Sequence, residues 1–260
     1  MKEAELKSPG GPASAGPEIE VLSDAAALAQ ALAQRFATAC SGSVRRHGTF
    51  RVALAGGTTP AQAYALLAAW PEPLPWGNVQ VFWGDERPVP PDHPDSNYRM
   101  AHEALLAHVG VPAGQVHRLR GEARDLAGAA AEYALALADA FGIPADGPPP
   151  RFDLVLLGMG AEGHTASLFP GSPVLDSRAW VAAPFVPALG MCRLTLTPAV
   201  LNAAAQVVFA VGGVSKASAL GSVLRGPREP DRFPAQVVRP TDGRLQWLVQ
   251  RDLARAAGLD

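Results

Sequence analysis

The sequence contains very little cysteine. Among its 260 residues only Cys40 and Cys192 are cysteines. Their separation fits neither a metal knuckle nor a redox pair, and two cysteines in a chain of this length do not build a disulfide framework. We therefore expect both to be free residues of the core or of helices.

An excess of charge of either sign is also absent. The chain has 22 basic and 24 acidic residues, a formal net charge of −2. This balance excludes a general field that would attract nucleic acid or an anionic membrane, so any anionic ligand must be held by a local site. Lysine is rare, and Lys216 is the only one beyond the first 17 residues.

No run of about 20 apolar residues occurs, and the N-terminal segment lacks the apolar stretch of a secretory signal. We therefore expect a cytoplasmic protein. Residues 1–17 are rich in Gly, Pro, Ser and Ala, and ordering them would cost more entropy than their burial could return. The sequence predicts a flexible tail over 1–17 and a single α/β domain over 18–260.

Short apolar segments alternate with helical segments along this domain. The alternation predicts an α/β fold with an open, mainly parallel twisted sheet and helices on both faces. Ser23 is expected to cap a helix reaching to about Cys40, and Thr59 to cap another that has Pro60 in its first turn. A longer helix is expected over 122–141. The predicted strands are 19–22, 50–55, 79–83, 152–157, 193–197, 206–211 and 245–249.

Ligands of such sheets bind beyond the carboxyl ends of the strands, and three of these ends carry unusual residues. Gly56, Gly57 and Thr58 follow one strand and open a helix, so backbone N–H groups there can face a phosphate. This segment lacks the Gly-Lys-Ser/Thr ending of the nucleotide P-loop. The alternative to a phosphate site is a glycine turn that only allows the strand and the helix to pack tightly. Arg87 and Lys216 follow two other strands, and Arg193 is a third candidate cation. The alternative for these charges is a solvated or ion-paired surface.

The segment after strand 152–157 is the most informative. Residues 158–163 match Gly-x-Gly-x-x-Gly, but the regular helix and the later acid of a dinucleotide site are missing, so we reject that interpretation. His164 and Glu162 remain, two residues apart on a glycine-rich loop. A neutral imidazole can take a proton from water, and a carboxylate can orient the ring. A structural histidine is the alternative. No His/Cys cluster indicates a metal site.

Eight segments of the chain carry a resemblance to a known family when they are taken together. They are 54–60, 82–87, 92–93, 96–99, 158–160, 163–171, 193–197 and 233–235, together with Lys216. In this order they resemble the 6-phosphogluconolactonase family. The resemblance implies the fold shared with glucosamine-6-phosphate deaminases and ribose-5-phosphate isomerases. It also implies hydrolysis of 6-phospho-D-glucono-1,5-lactone to 6-phosphogluconate in the oxidative pentose phosphate pathway.

The resemblance makes His164 and Glu162 catalytic. It implies a sugar-phosphate lactone as substrate. We expect no cofactor and no metal, and from the charge balance we expect neither nucleic acid nor membrane as partner. A transient association with glucose-6-phosphate dehydrogenase is a further expectation. The residues implied in substrate and phosphate binding are Gly56, Gly57, Thr58, Arg87, Asn97, Arg193 and Lys216.

One departure and two alternatives accompany this hypothesis. The family commonly has Pro-Asp before Gly-His, whereas this chain has Ala161-Glu162, which leaves the role of the longer acid open. A glucosamine-6-phosphate deaminase would carry a glutamate where this chain has Phe169, and tends to have tyrosine at the position of Arg87. A non-catalytic sugar-phosphate sensor would need a DNA-reading module. The segment before Glu18 is too short and too polar to form such a module.

Overall fold

The computed structural model describes residues 17–259. Its strands are, in chain order, β1 (Glu18–Leu22), β2 (Phe50–Leu54), β3 (Val79–Trp83), β4 (Asp85–Glu86), β5 (Leu154–Leu157), β6 (Val181–Ala182), β7 (Phe185–Val186), β8 (Met191–Cys192), β9 (Leu194–Leu196), β10 (Gln206–Val211) and β11 (Arg244–Gln250). The helices are α1 (Ala25–His47), α2 (Thr58–Ala68), α3 (Asn97–Ala101), α4 (Leu126–Phe141), α5 (Pro198–Ala203), α6 (Ala217–Arg225) and α7 (Arg251–Ala256), and a π-helical turn (His102–Leu106) follows α3.

The core of the fold is a six-stranded sheet in the order β1-β11-β10-β5-β2-β3, and every pairing in it is parallel. All four residues of β5 are buried, as expected of a strand covered on both faces. The predicted α/β fold with a mainly parallel sheet is confirmed. Because the strands are parallel, the segments that follow β2, β3, β5 and β10 meet at one edge of the sheet.

Two smaller sheets flank this edge. β4, β9 and β6 form an antiparallel sheet, and β7 pairs with β8 in a hairpin. The expected strand at 193–197 therefore exists as β9, but it lies outside the large sheet. Its partner β4 follows β3 after a single residue, so the small sheet extends the same edge.

The predicted helix caps were wrong in two places. Asp24, and not Ser23, caps α1: its carboxylate accepts from the backbone N–H of Ala27, while the Ser23 hydroxyl donates to the same carboxylate. A carboxylate is the better partner for a helix N-terminus because it also meets the positive end of the helix dipole. α2 begins at Thr58, directly after Gly57, so Thr59 lies inside its first turn.

Cys40 is buried against the core and Cys192 is half-buried, and both are free.

α1 reaches His47 and is therefore longer than expected. Gly48 follows it and terminates it with a left-handed backbone (φ 80°). Among residues 17–259 no helix is long and apolar enough to cross a membrane. Except for Pro17, the predicted tail lies outside the described residues, and the division into a tail and one domain stays a prediction.

Candidate active site

A cavity of about 480 Å³ opens at the carboxyl edge of the large sheet. Its lining consists largely of the glycine-rich segments that follow β2, β5 and β10, together with polar and charged side chains. Small residues leave this space empty, whereas larger side chains would fill it. The predicted site residues that line the cavity are Gly56, Gly57, Thr58, Arg87, Asn97, His164 and Lys216.

The turn between β2 and α2 presents backbone donors to the cavity. Gly57 has φ 104°, a conformation that favours glycine, and the first backbone bond of α2 runs from the N–H of Ala61 to the carbonyl of Gly57. The N–H groups before Ala61 have no helical acceptor, so together with the helix dipole they favour an anion. The Thr58 hydroxyl lies at the same place on the cavity wall.

Asn97 packs directly against this turn. A Cβ atom added to Gly56 would lie 1.9 Å from the Oδ1 atom of Asn97, so only glycine allows the approach. Asn97 is held by Glu86, a buried carboxylate that accepts from the backbone N–H groups of Asn97 and Tyr98 and from the Ser96 hydroxyl. Burial raises the pKa of Glu86, although these hydrogen bonds work against the shift.

Two arginines lie near the end of β3. Arg87 lines the cavity, and its guanidinium donates to the backbone carbonyl of Asp95. Arg193 does not line the cavity. Burial lowers the pKa of Arg193, and the positive charge of Arg87 lowers it further, so the two guanidinium groups lie close enough to repel each other. Paired guanidinium groups of this kind favour a bound phosphate or carboxylate.

Lys216 lines the opposite side of the cavity, in the turn (Val214–Lys216) that follows β10. Burial lowers the pKa of its ammonium group, and the negative charge of Glu162 opposes this shift. β10 and β3 are separated by β5 and β2 in the sheet. The cavity therefore has a positive group at each end, with the glycine-rich loop after β5 between them.

His164 lies on this loop and forms a pair with Glu162. The distance between His164 Nδ1 and Glu162 Oε1 is 2.8 Å. Since a carboxylate only accepts hydrogen bonds, the neutral imidazole carries its proton on Nδ1 and leaves the Nε2 lone pair free. The imidazole also stacks on Phe169, with ring centroids 4.3 Å apart and planes 22° apart. The ring is thus held at one edge and on one face.

The glycines of the loop allow this pair to form. Gly163, with φ 89°, turns the chain between Glu162 and His164. A Cβ atom on Gly160 would lie 2.1 Å from His164 Nδ1. Burial raises the pKa of Glu162, but its own backbone N–H, His164 and Lys216 outweigh that effect, and the net pKa is lowered. Glu162 is therefore ionised at neutral pH and can orient the imidazole.

Sequence reasoning missed further polar residues that line the cavity, among them Gln62, Asp85 and Gln250. Gln250 ends β11, lines the cavity, and accepts a hydrogen bond from the backbone N–H of Gly213 through Oε1. Its position at the carboxyl end of a predicted strand was the available signal. Within residues 17–259, no three side chains of His, Cys, Asp or Glu form a group that could hold a metal ion.

The fold and the cavity define an α/β protein with a cavity lined by cations and an imidazole–carboxylate pair at the carboxyl edge of a parallel sheet. Residues 23–247 match the model of the family described as glucosamine-6-phosphate isomerases/6-phosphogluconolactonase. The chain belongs to this family.

Relatives of known name support the same assignment. The chain is 40% identical over 238 residues to a 6-phosphogluconolactonase of Synechocystis sp., covering 90% of this chain and 96% of that protein. It is 38% identical over 242 residues to a 6-phosphogluconolactonase of Mycobacterium tuberculosis, covering 91% and 96% of the two chains.

Solved structures agree. The 6-phosphogluconolactonase of Trypanosoma brucei superposes with a TM-score of 0.78 at 30% identity, covering 92% of this chain and 98% of that one. A monomeric glucosamine-6-phosphate deaminase superposes with a TM-score of 0.76 at 23% identity, covering 92% and 99% of the two chains. At that identity the second likeness concerns the fold alone.

Proposed function

We propose that this chain hydrolyses 6-phospho-D-glucono-1,5-lactone to 6-phosphogluconate, with His164 as the general base. The observation that carries the proposal is the pairing of His164 with Glu162 beside a cavity that is positive at both ends. The family and the similarity to 6-phosphogluconolactonases supply the substrate.

In the first step, the free Nε2 atom of His164 accepts a proton from a water molecule as the water oxygen attacks the lactone carbonyl carbon. Glu162 accepts from Nδ1 and stabilises the imidazolium that forms. The bond between the carbonyl carbon and the ring oxygen then breaks. The imidazolium returns its proton to the departing ring oxygen, and the ring opens to the hydroxy acid.

The anion-binding groups hold the phosphate so that the carbonyl lies at His164. The turn residues Gly57 and Thr58, the side chain of Asn97 that shapes this turn, and the cations Arg87 and Lys216 all line the cavity. Arg193 interacts electrostatically with Arg87 and adds to the positive field. A lactone is already a reactive ester, so positioning it against the base can supply a large share of the rate increase.

The experiment generates the lactone in situ and follows its loss by phosphorus NMR in excess chelator, against the spontaneous rate. Wild type is compared with His164→Ala. We expect strong acceleration by wild type, and His164→Ala to lower kcat by at least about 10²-fold with little change in KM, as for loss of a general base. Equal rates for wild type and buffer would refute the proposal, and glucosamine 6-phosphate would then be tested as substrate.

His47→Ala is the matched control. His47 also pairs with a carboxylate, since its Nε2 atom lies 2.9 Å from Asp153 Oδ1, but it does not line the cavity. We expect His47→Ala to keep the wild-type rate. A loss equal to that of His164→Ala would show that breaking any such pair disturbs the fold, and would remove the support for a catalytic imidazole.

The proposal also includes the cytoplasmic location and the transient association with glucose-6-phosphate dehydrogenase that the sequence led us to expect. That dehydrogenase is the enzyme expected to produce the lactone, so a physical association would shorten the exposure of a reactive ester to water. Co-sedimentation of the two purified proteins tests the association, and independent sedimentation at micromolar concentrations would contradict it.

A further inference from the structure

Asp85 is a carboxylate in a cavity built for an anion. It lines the same cavity as Arg87 and Lys216, where its negative charge opposes the binding of a phosphate. The proposed chemistry assigns it no step. A carboxylate at this position needs another explanation, and its hydrogen bonds provide one.

Both oxygens of Asp85 are occupied by groups from other segments. Oδ2 accepts from the Ser167 hydroxyl at 2.7 Å, and Oδ1 accepts from the Asn97 amide at 3.2 Å. Ser167 belongs to the His164 loop, and Asn97 packs against the anion-binding turn at Gly56. One side chain therefore ties the loop that carries the base to the residue that shapes the phosphate end.

The loop needs such a tie because its backbone is strained beside the bond. Ala166 has φ 47° and is the only residue other than glycine with a positive φ in the described part of the chain. This conformation is unfavourable for a residue with a Cβ atom and persists only where the surroundings enforce it.

Both neighbours of Ala166 are buried and fixed by hydrogen bonds. The Thr165 hydroxyl donates to the carbonyl of Gly158 at 2.8 Å. The Ser167 N–H donates to the Thr195 hydroxyl at 3.2 Å, and Thr195 is the residue of β9 that pairs with Asp85 in β4. The small antiparallel sheet thus receives both the hydroxyl and the N–H of Ser167.

We propose, on the basis of the function proposed above, that Asp85 and Ser167 are positioning residues: their hydrogen bond holds the strained loop so that His164 meets the lactone carbonyl. Asp85 takes no proton in the reaction. Asp85 contributes by fixing the distance between the imidazole of His164 and the bound phosphate. The reaction requires this distance to be held.

The test compares Ser167→Ala, Asp85→Ala and Asp85→Asn in the lactone assay, with folding checked by circular dichroism. An asparagine at 85 can still accept from Asn97 through Oδ1, and its amide can donate to the Ser167 hydroxyl. We expect Ser167→Ala and Asp85→Ala each to lower kcat about 10- to 100-fold, with KM within about threefold, because a shift of about 1 Å costs roughly 10²-fold. Asp85→Asn should keep kcat within about fivefold of wild type. If Asp85→Asn loses as much as Asp85→Ala, the carboxylate acts through its charge or as a base, and the inference is wrong.

Ser172→Ala is the matched control. The Ser172 hydroxyl is buried and has no hydrogen-bond partner among residues 17–259. It should leave kcat unchanged. In a His164→Ala background, Ser167→Ala should cause no further loss if it acts through the imidazole. A further tenfold loss there would indicate general damage to the fold and would overturn the inference. If wild type accelerates hydrolysis but Ser167→Ala and Asp85→Ala match it, only this inference fails and the proposed function stands.

Discussion

Replacing Gly160 by alanine should disable the imidazole–carboxylate pair while leaving the rest of the cavity intact. The new Cβ atom would lie 2.1 Å from His164 Nδ1 and 2.7 Å from Glu162 Oε2, whereas ordinary contact begins at 3.4 Å. The imidazole must therefore retreat by about 1.3 Å. Phe169, stacked on one face of the ring, restricts where it can go.

A displacement of about 1 Å in a reacting group costs roughly 10²-fold in rate, which is about 2.7 kcal/mol in the barrier. We therefore expect Gly160→Ala to lower kcat about 100-fold with little change in KM, because the atoms nearest to the new methyl group belong to His164 and Glu162 and not to the residues proposed to hold the phosphate. The new methyl group itself adds no charge, so the loss measures geometry alone.

The assay follows the proton released by hydrolysis with a pH indicator in weak buffer, corrected for spontaneous opening. Gly114→Ala is the control, since a Cβ atom there has no heavy atom within 4 Å, and it should behave as wild type. If Gly160→Ala retained kcat within about twofold of wild type, the position of the imidazole would not govern the rate, and the assignment of His164 as base would be refuted.

Three further outcomes follow from the same geometry. Gly56→Ala should raise KM about tenfold, or ~1.4 kcal/mol, because its Cβ atom would displace the anchored Asn97 amide; steady-state kinetics checks this, and an unchanged KM would contradict it. Glu86→Gln should lower the free energy of unfolding by about 2–4 kcal/mol, since an amide NH₂ cannot accept the bonds made to one carboxylate oxygen. Because burial raises the pKa of Glu86, the wild-type stability falls as pH rises from the ordinary carboxyl value through the raised one, and urea denaturation should show that the Gln variant lacks this slope. Burial lowers the pKa of Lys216, so kcat/KM should fall on the alkaline side below the usual lysine range; Lys216→Arg should move this fall to higher pH, and an unmoved profile would assign it to another group.

The sheet could be predicted from the sequence because its strands are short apolar runs, each followed by glycine or a cap residue. The order of those strands could not, since it depends on pairings such as β1 with β11, which join residues more than 200 positions apart. The small antiparallel sheet was also missed. Its strands β4 and β6 have two residues each, too few to show an alternating pattern.

Helix starts were predicted less well where two capping residues are adjacent. Ser23 and Asp24 are both good N-caps, and the choice depends on where the chain leaves β1. The longer helix expected from Glu122 begins only at Leu126, with Asp125 as its cap. That cap was visible in the sequence, but the predicted helix was started four residues too early.

The candidate site could be predicted from the sequence because its residues follow predicted strands, and the carboxyl ends of these strands meet at one edge of the sheet. His164 and Glu162 stood out by their setting among glycines, and the structure places them 2.8 Å apart. The left-handed conformation of Ala166 left no trace in the sequence, because alanine is not a residue that marks positive φ. The bond between Asp85 and Ser167 joins residues 82 positions apart, so it follows only from the tertiary fold.

The cavity lining separates two kinds of function between its glycines and its charged side chains. Gly56 and Gly160 have neighbours that lie too close for a Cβ atom. Substitutions at these two glycines act by moving Asn97 or His164, and their effect should not depend on salt. The positive charges, Arg87 and Lys216, act through an electrostatic field that salt screens. The ionic-strength dependence of kcat/KM therefore distinguishes loss of geometry from loss of charge in any variant of this site.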